Sequence, residues 1–109
     1  MNLQDRNIMR SYYIYILQCN DETYYTGVTS NLEERLRQHE SGYGVSSYTS
    51  KRRPVKLVFS QQFHDITQAI TLEKQIKGWT RKKKEALING EWERLKLLSK
   101  NHGQYGKIE

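Results

Sequence analysis

Glu73 is a carboxylate at a position where the helical pattern predicts an apolar side chain. A long helical pattern begins at Asp65, and its apolar residues recur at three- and four-residue spacing. Glu73 follows Ala69 by four residues and precedes Ile76 by three, which places it in the middle of the buried stripe. A carboxylate there must meet a cation, a hydrogen-bond donor or a metal ion, or reach solvent through a cleft. A buried ion pair with arginine or lysine is the structural alternative.

A basic stripe lies beside the apolar face of an earlier predicted helix. Leu32 and Leu36 are one turn apart and should anchor this helix on a sheet. Arg35 and His39, also four residues apart, form a second stripe next to them. These two side chains are either part of a site or solvated boundary residues on a basic helix.

Two runs of cations could follow a phosphate backbone. One follows a flexible segment rich in Gly, Ser and Thr, and the other lies near a helix start; together they comprise Lys51, Arg52, Arg53, Arg81, Lys82, Lys83 and Lys84. The formal net charge of +6 also favours a polyanionic partner. Simple solvation of both runs is the alternative.

Two tyrosine-rich runs precede these residues. Residues 12–17 and 24–29 have strand propensity and flank a polar turn at 20–23, which predicts a β-hairpin. Both faces of the first run are apolar, so it should be the central strand of its sheet. A loop of three or five unpaired residues would put Tyr15 and Tyr25 on one face, and a loop of two or four would put them on opposite faces.

The remaining pattern completes an α+β fold. A third strand is expected over 55–63. Ser30 and Glu33 fit a capping box for the helix with the basic stripe, which should run to about Glu40 and stop at Gly42. Further helical segments are expected around 45–49, 65–77, 81–88 and 92–98.

The chain is long enough for one domain, which we expect over 11–99, with a flexible leader at 1–10 and a flexible tail at 100–109. The single cysteine cannot form an internal disulfide, and no stretch has the length and apolarity of a signal peptide or membrane span. We therefore expect a cytoplasmic protein without a membrane partner. One cysteine and three scattered histidines exclude the common zinc patterns, and no glycine-rich phosphate loop or serine-centred elbow is present.

An ordered set of motifs runs through the chain, namely Tyr13-Ile14-Tyr15, Tyr25-Thr26-Gly27, Arg35, His39 and Glu73. Over about residues 11–90 the chain resembles the GIY-YIG nuclease superfamily, in particular its small stand-alone bacterial members. It departs from the family pattern at three positions. Tyr13 stands where the family name has glycine, Thr26 replaces the isoleucine of the second motif, and Val28 stands where some members carry lysine.

The resemblance implies a three-stranded antiparallel sheet flanked by about four to five helices, and metal-dependent cleavage of a phosphodiester bond. Tyr25 would be the general base, directly or through a water, and Tyr15 would orient the attacking water or share its proton. Arg35 would stabilise charge on the phosphate oxygens, and His39 would position the phosphate or relay a proton. Glu73 would hold Mg²⁺ or Mn²⁺.

The leading hypothesis is a divalent-metal-dependent endonuclease that acts on DNA in preference to RNA, with repair or recombination as the family-level suggestion. A nucleic-acid-binding module on the same fold, with little or no catalysis, is the alternative. A third hypothesis is a small basic interaction protein in which the tyrosines form the core and Glu73 a salt bridge. The nuclease requires Tyr15, Tyr25, Arg35 and Glu73 to converge on one open cleft. Whether a partner protein supplies targeting stays open.

Overall fold

A computed structural model of the chain describes residues 10–44 and 46–108, with only the backbone described for 101–108. The flexible leader expected over 1–10 therefore lies, apart from Arg10, outside the described residues. Within these ranges, no helix combines the length and the apolarity that crossing a membrane requires.

The first of two compact units, Met1–Lys74, is built on a three-stranded antiparallel sheet. Its strands are β1 (Tyr12–Gln18), β2 (Tyr24–Thr29) and β3 (Lys56–Phe63), in the spatial order β2-β1-β3. β1 is thus the central strand, as its two apolar faces predicted, and the four consecutive side chains in its middle are buried. The predicted third strand is also confirmed.

The hairpin between β1 and β2 has an odd loop. Five residues separate the two strands, and among them Glu22 takes a left-handed conformation with φ of 69°. In the resulting register Leu17 pairs with Tyr25, and Tyr15 pairs with Gly27. Because side chains two apart on a strand share a face, Tyr15 and Tyr25 lie on the same side of the sheet. The geometric condition that the sequence left open is therefore met.

The helix that carries the basic stripe, α1, spans Leu32–Ser41. Its N-cap is Asn31, whose side-chain oxygen accepts a hydrogen bond from the Glu34 amide at 3.0 Å. The predicted N-cap, Ser30, is therefore wrong by one residue. The side-chain oxygen of Asn31, and not that of Ser30, accepts a hydrogen bond from a backbone N–H of the first turn. Gly42 ends the helix in a left-handed conformation, as predicted.

Two further helices belong wholly or partly to the first unit. α2 is the short segment Ser47–Ser50, close to the single helical turn predicted there. α3 spans Ile66–Lys77, beginning in the first unit and ending in the second. Ala69, Glu73 and Ile76 are all buried, so the carboxylate does lie in the buried stripe of its helix.

The second unit, Gln75–Glu109, contains α4 (Arg81–Ile88) and α5 (Trp92–Ile108). The sequence predicted a short last helix and a tail without regular structure, but the helical backbone continues to Ile108. Extending a helix that is already nucleated is much less costly than starting one, which outweighs the weak propensity of the polar, glycine-containing segment. The flexibility of 100–109 and the single domain over 11–99 stay predictions.

Candidate active site

Tyr15 projects from the middle of β1 and is fully buried. Its ring lies against Gly27, the residue opposite it in β2. A Cβ atom at position 27 would lie 2.5 Å from Tyr15 Oη and 2.6 Å from Tyr15 Cζ, closer than unbonded atoms approach. The absence of a side chain at Gly27 is therefore what allows the Tyr15 ring to lie across β2.

A chain of hydrogen bonds connects Tyr15 to two helices. The Tyr15 hydroxyl lies 2.9 Å from His39 Nε2 on α1, and His39 Nδ1 lies 2.9 Å from Thr49 Oγ1 on α2. Thr49 Oγ1 in turn donates to the Ser46 carbonyl oxygen at 3.2 Å. His39 and Thr49 are both fully buried, so these bonds lie out of solvent.

Tyr25 contacts both Tyr15 and His39 through its ring. Its centroid lies 6.4 Å from that of Tyr15 and 5.3 Å from that of His39, with the imidazole edge-on. On its other side it stacks with Tyr48 at 6.2 Å. Aromatic pairs at these separations are stabilising, and here they hold a half-buried phenol at the edge of the sheet.

The Tyr15 phenol is also the point where Arg35 and Glu73 meet the cluster. Burial raises the pKa of Tyr15, hydrogen bonding from Arg35 opposes this rise, and the charges of Tyr25 and Glu73 add to it. Arg35 is half-buried on α1 and Glu73 is 8% exposed on α3. Four of the five side chains singled out in the sequence therefore interact with the fifth, Tyr15: His39 by a hydrogen bond, Tyr25 through its ring, and Arg35 and Glu73 by hydrogen bonding or charge.

His39 is a neutral imidazole enclosed by the protein. Burial, followed by the charge of Arg35, lowers its pKa from 6.5 to about 4, so the imidazole is neutral at pH 7. The ring is fully buried and both of its nitrogens are hydrogen-bonded within the protein. No part of the ring faces solvent, so an effect of His39 on a substrate phosphate would act through its neighbours. The two roles expected for His39, positioning the phosphate or relaying a proton, stay predictions.

Sequence reasoning missed Tyr48 and Thr49, which complete the cluster from α2. A helix of four residues has too few positions to show a hydrophobic period, so no periodic signal was available. The only local signal is a serine at 46, which caps α2 by accepting from the Tyr48 amide at 2.9 Å.

The first cationic run is partly engaged within the protein. Arg52 Nε donates to Asp21 at 2.9 Å, and its guanidinium carbon lies 3.8 Å from the Tyr48 ring centroid. Arg53 Nη1 donates to the Glu40 carbonyl oxygen at 2.7 Å. Lys51 is exposed. Nucleic-acid binding by this run stays a prediction, and Lys51 has the surface position that it requires.

The second run belongs to α4 and is described within its own unit. Lys83 does not have the exposed position that the prediction assumed: it is 7% exposed, and its Nζ lies 4.4 Å from the Trp79 ring centroid. Burial lowers the pKa of Lys83 and, together with the charge of Arg81, that of Lys84. Arg81 pairs with Glu85 at 3.0 Å. Phosphate binding by Arg81, Lys82, Lys83 and Lys84 stays a prediction, with Lys82 the best exposed of the lysines.

The donors near Tyr15 fit one mode of divalent-metal binding. Among the residues that the structure describes, no three His, Cys, Asp or Glu side chains gather into a cage. Mg²⁺ is commonly held by one or two carboxylates, with waters and substrate phosphates as its other ligands. Glu73, a buried carboxylate whose charge acts on the Tyr15 phenol, suits that mode.

A groove of about 470 Å³ contains none of the five site residues and is lined by Tyr13, Ser30, Asn31, Leu32, Glu33 and Leu36.

Comparisons with known proteins identify similar sequences. A family model described as the GIY-YIG catalytic domain matches residues 11–86. A UPF0213 protein of Syntrophus aciditrophicus (strain SB) is 44% identical over 87 residues, which cover 80% of this chain and 100% of that protein. A UPF0213 protein of Clostridium perfringens (strain 13 / Type A) is 47% identical over 77 residues, covering 71% of this chain and 82% of that protein.

Two solution NMR structures are similar in fold. The protein EF2693 from E. faecalis superposes with a TM-score of 0.54 at 37% identity, covering 73% of this chain and 84% of that one. The UPF0213 protein BH0048 from Bacillus halodurans gives a TM-score of 0.50 at 38% identity, with coverage of 72% and 83%. The predicted α+β fold, a three-stranded antiparallel sheet flanked by helices, is thereby confirmed.

Proposed function

Because this chain belongs to the GIY-YIG catalytic domain family, we propose that it is a divalent-metal-dependent endonuclease that hydrolyses phosphodiester bonds in DNA. The observation that supports the proposal best is the convergence on Tyr15. This phenol bonds His39, contacts the Tyr25 ring and interacts with Arg35 and Glu73. A net charge of +6 suits a polyanionic substrate.

In the proposed reaction Tyr25 is the general base. It takes a proton from the attacking water, directly or through a second water, while the water oxygen bonds to phosphorus and the bond from phosphorus to the leaving oxygen breaks. Tyr15, whose hydroxyl is anchored by His39, orients the attacking water. Tyr25 acts as a base in its phenolate form, which positive charge from Arg35 and from a bound metal would favour.

Arg35 and Glu73 would stabilise the negative charge that develops during the reaction, Arg35 directly and Glu73 by holding a metal ion. The planar guanidinium of Arg35 stabilises the charge that develops on the phosphate oxygens. Glu73 would hold Mg²⁺ or Mn²⁺, which when bound stabilises charge on the leaving oxygen. A metal-binding role would explain why a carboxylate that is buried and acts on Tyr15 occupies an otherwise apolar stripe.

The alternative is a module that binds nucleic acid without cutting it. The observation that favours it is Val28, which stands where some relatives carry a lysine. Under the third hypothesis, Glu73 is a structural ion-pair partner and the protein needs no nucleic acid.

A nicking assay on supercoiled plasmid and on branched DNA, with Mg²⁺, with Mn²⁺ and with excess EDTA, tests the proposal. We expect cleavage only with metal. Tyr25→Phe should lower the rate by at least about 100-fold, the contribution of a general base. Tyr24→Phe is the matched control, because it removes the neighbouring hydroxyl from the opposite face of β2. Glu73→Gln keeps the side-chain shape, removes the charge and should abolish metal-dependent cleavage.

Each outcome separates the hypotheses. Cleavage in EDTA, or an unimpaired Glu73→Gln variant, contradicts the metal-dependent mechanism. Binding of DNA without cleavage in every condition supports the binding module, and neither binding nor cleavage supports the third hypothesis. A preference for branched DNA would support a role in repair or recombination, and a parallel RNA substrate tests the choice of DNA.

A further inference from the structure

Thr49 is a buried hydroxyl residue that reaches the proposed site through His39. Its Oγ1 lies 2.9 Å from His39 Nδ1 and donates to the Ser46 carbonyl oxygen at 3.2 Å. On the far side of the imidazole, Tyr15 Oη lies 2.9 Å from Nε2. Because a neutral imidazole has one N–H donor and one acceptor nitrogen, the directions of its two hydrogen bonds depend on each other.

The contact between Thr49 and the Ser46 carbonyl indicates the direction of the whole chain. A hydroxyl carries a single hydrogen, and with that of Thr49 assigned to the Ser46 carbonyl oxygen at 3.2 Å, Thr49 Oγ1 accepts from the N–H at Nδ1. Nε2 of the neutral His39 ring then has no hydrogen and accepts the Tyr15 O–H. Arg35 can only donate, so its hydrogen bonding with the Tyr15 oxygen agrees with a phenol that gives its own hydrogen to the imidazole.

We propose that Thr49 is a positioning residue for the nuclease reaction: it holds His39 as the Nδ1–H tautomer, and His39 in turn fixes the direction of the Tyr15 hydroxyl. The inference rests on the proposed function. With its hydrogen directed at His39, the Tyr15 oxygen is left as an acceptor for the Arg35 guanidinium. Tyr25 is then the group that takes the proton of the attacking water.

The surroundings of the imidazole support its neutral state. Tyr15 faces His39 from β1, Tyr25 from β2 and Thr49 from α2, while Arg35 acts on it from its own helix. Burial and the Arg35 charge both lower the pKa of His39, so the ring has one N–H at neutral pH.

Nitrogen-15 NMR of the histidine-labelled full chain at neutral pH reads the tautomer directly, with the signal assigned by its loss in His39→Asn. The parent and Thr49→Ser should show hydrogen at Nδ1. Thr49→Val should move the hydrogen to Nε2, because a buried Nδ1–H without an acceptor is costly. Ser50→Ala is the matched control, since it removes a hydroxyl that donates to the Ser47 carbonyl oxygen on the same helix. An Nε2–H parent, or an unchanged Thr49→Val spectrum, overturns the inference.

Cleavage by the same variants tests the catalytic part. Thr49→Val should lower the rate by about 10- to 100-fold, as loss of a partner that orients a site histidine does, and Thr49→Ser should restore it. Circular dichroism establishes that each variant is folded. Parent-like cleavage by Thr49→Val overturns the inference and leaves the proposed function standing. A parent that cuts no substrate overturns the proposed function and the catalytic role of Thr49, whereas the spectra still decide the tautomer.

Discussion

Tyr15 and Gly27 face each other across β1 and β2, and the ring of the first fills the space that the second leaves empty. Gly27, in the second tyrosine motif, therefore provides the space that Tyr15, in the first motif, needs for its ring. Tyr15 also forms a hydrogen bond with His39. A side chain at position 27 that displaced the Tyr15 ring would therefore also disturb His39 on α1.

Gly27→Ala should impair both stability and cleavage. The new Cβ would lie 2.5 Å from Tyr15 Oη, so the ring must move away from its hydrogen bond. We expect the free energy of unfolding to fall by about 1–3 kcal/mol, as overpacking typically costs, and cleavage to be lost. Urea unfolding followed by circular dichroism and the plasmid assay measure the two effects. Gly78→Ala, whose Cβ would come no closer than 3.6 Å to another atom, is the control, and equal behaviour of the two variants would contradict the prediction.

Arg35→Lys should lower cleavage by about 100-fold although it keeps the positive charge, because lysine lacks the planar fork that binds two phosphate oxygens. Arg37→Lys makes the same change on the exposed side of α1, where Arg37 pairs with Glu34, and should cleave like the parent. Single-turnover rates at saturating metal measure the difference. A fully active Arg35→Lys would show that charge alone suffices at this position.

Stability should fall as pH falls from about 6.5 to about 4, the ordinary and the folded pKa of His39. Between these values the unfolded chain binds the proton and the folded chain does not, so acid favours unfolding. Between pH 7 and pH 5 this histidine should cost about 2 kcal/mol. Urea unfolding at the two pH values measures the loss, which should shrink in His39→Gln and persist in His64→Gln, a change of an exposed histidine. An undiminished loss in His39→Gln would assign the effect to other groups.

Substitutions of the neighbouring residues Arg52 and Lys51 should affect different properties, namely stability and DNA affinity. Arg52→Gln removes the contact with the Tyr48 ring and the bond to Asp21, so the free energy of unfolding should fall by about 1 kcal/mol. Lys51→Gln should leave stability unchanged and should reduce the slope of log affinity for DNA against log salt by about 0.9, the share of one phosphate contact. Unfolding curves and salt-dependent fluorescence anisotropy separate the two effects. The reverse pattern would make Arg52 the phosphate contact.

Much of the fold and site could be predicted because their signals are periodic or local. β1 has apolar residues on both faces, which only a central strand requires. Glu73 stands out because helical spacing fixes its neighbours independently of the rest of the chain. Whether Tyr15 and Tyr25 share a face could not be predicted, since it depends on one residue more or less in the turn, and Glu22 at φ of 69° gives no warning in its residue type.

The contributions of α2 could not be predicted for a different reason. Thr49 and Tyr48 matter through contacts with residues far away in sequence, such as His39, ten positions earlier. A segment of four helical residues leaves no period to read. Likewise, the residue type of Arg52 indicates a phosphate contact as readily as the stack on Tyr48 that the structure contains.

The division of the chain into two units also separates its natural fluorophores. The chain has two tryptophans, Trp79 and Trp92, and both belong to Gln75–Glu109. The sheet and all five proposed site residues belong to Met1–Lys74, where the aromatic emitters are tyrosines. Tryptophan emission during denaturation thus reports on one unit, while far-ultraviolet circular dichroism reports on both. Superimposable curves from these two signals would indicate a single cooperative transition, and separated curves would reveal that the catalytic sheet melts on its own.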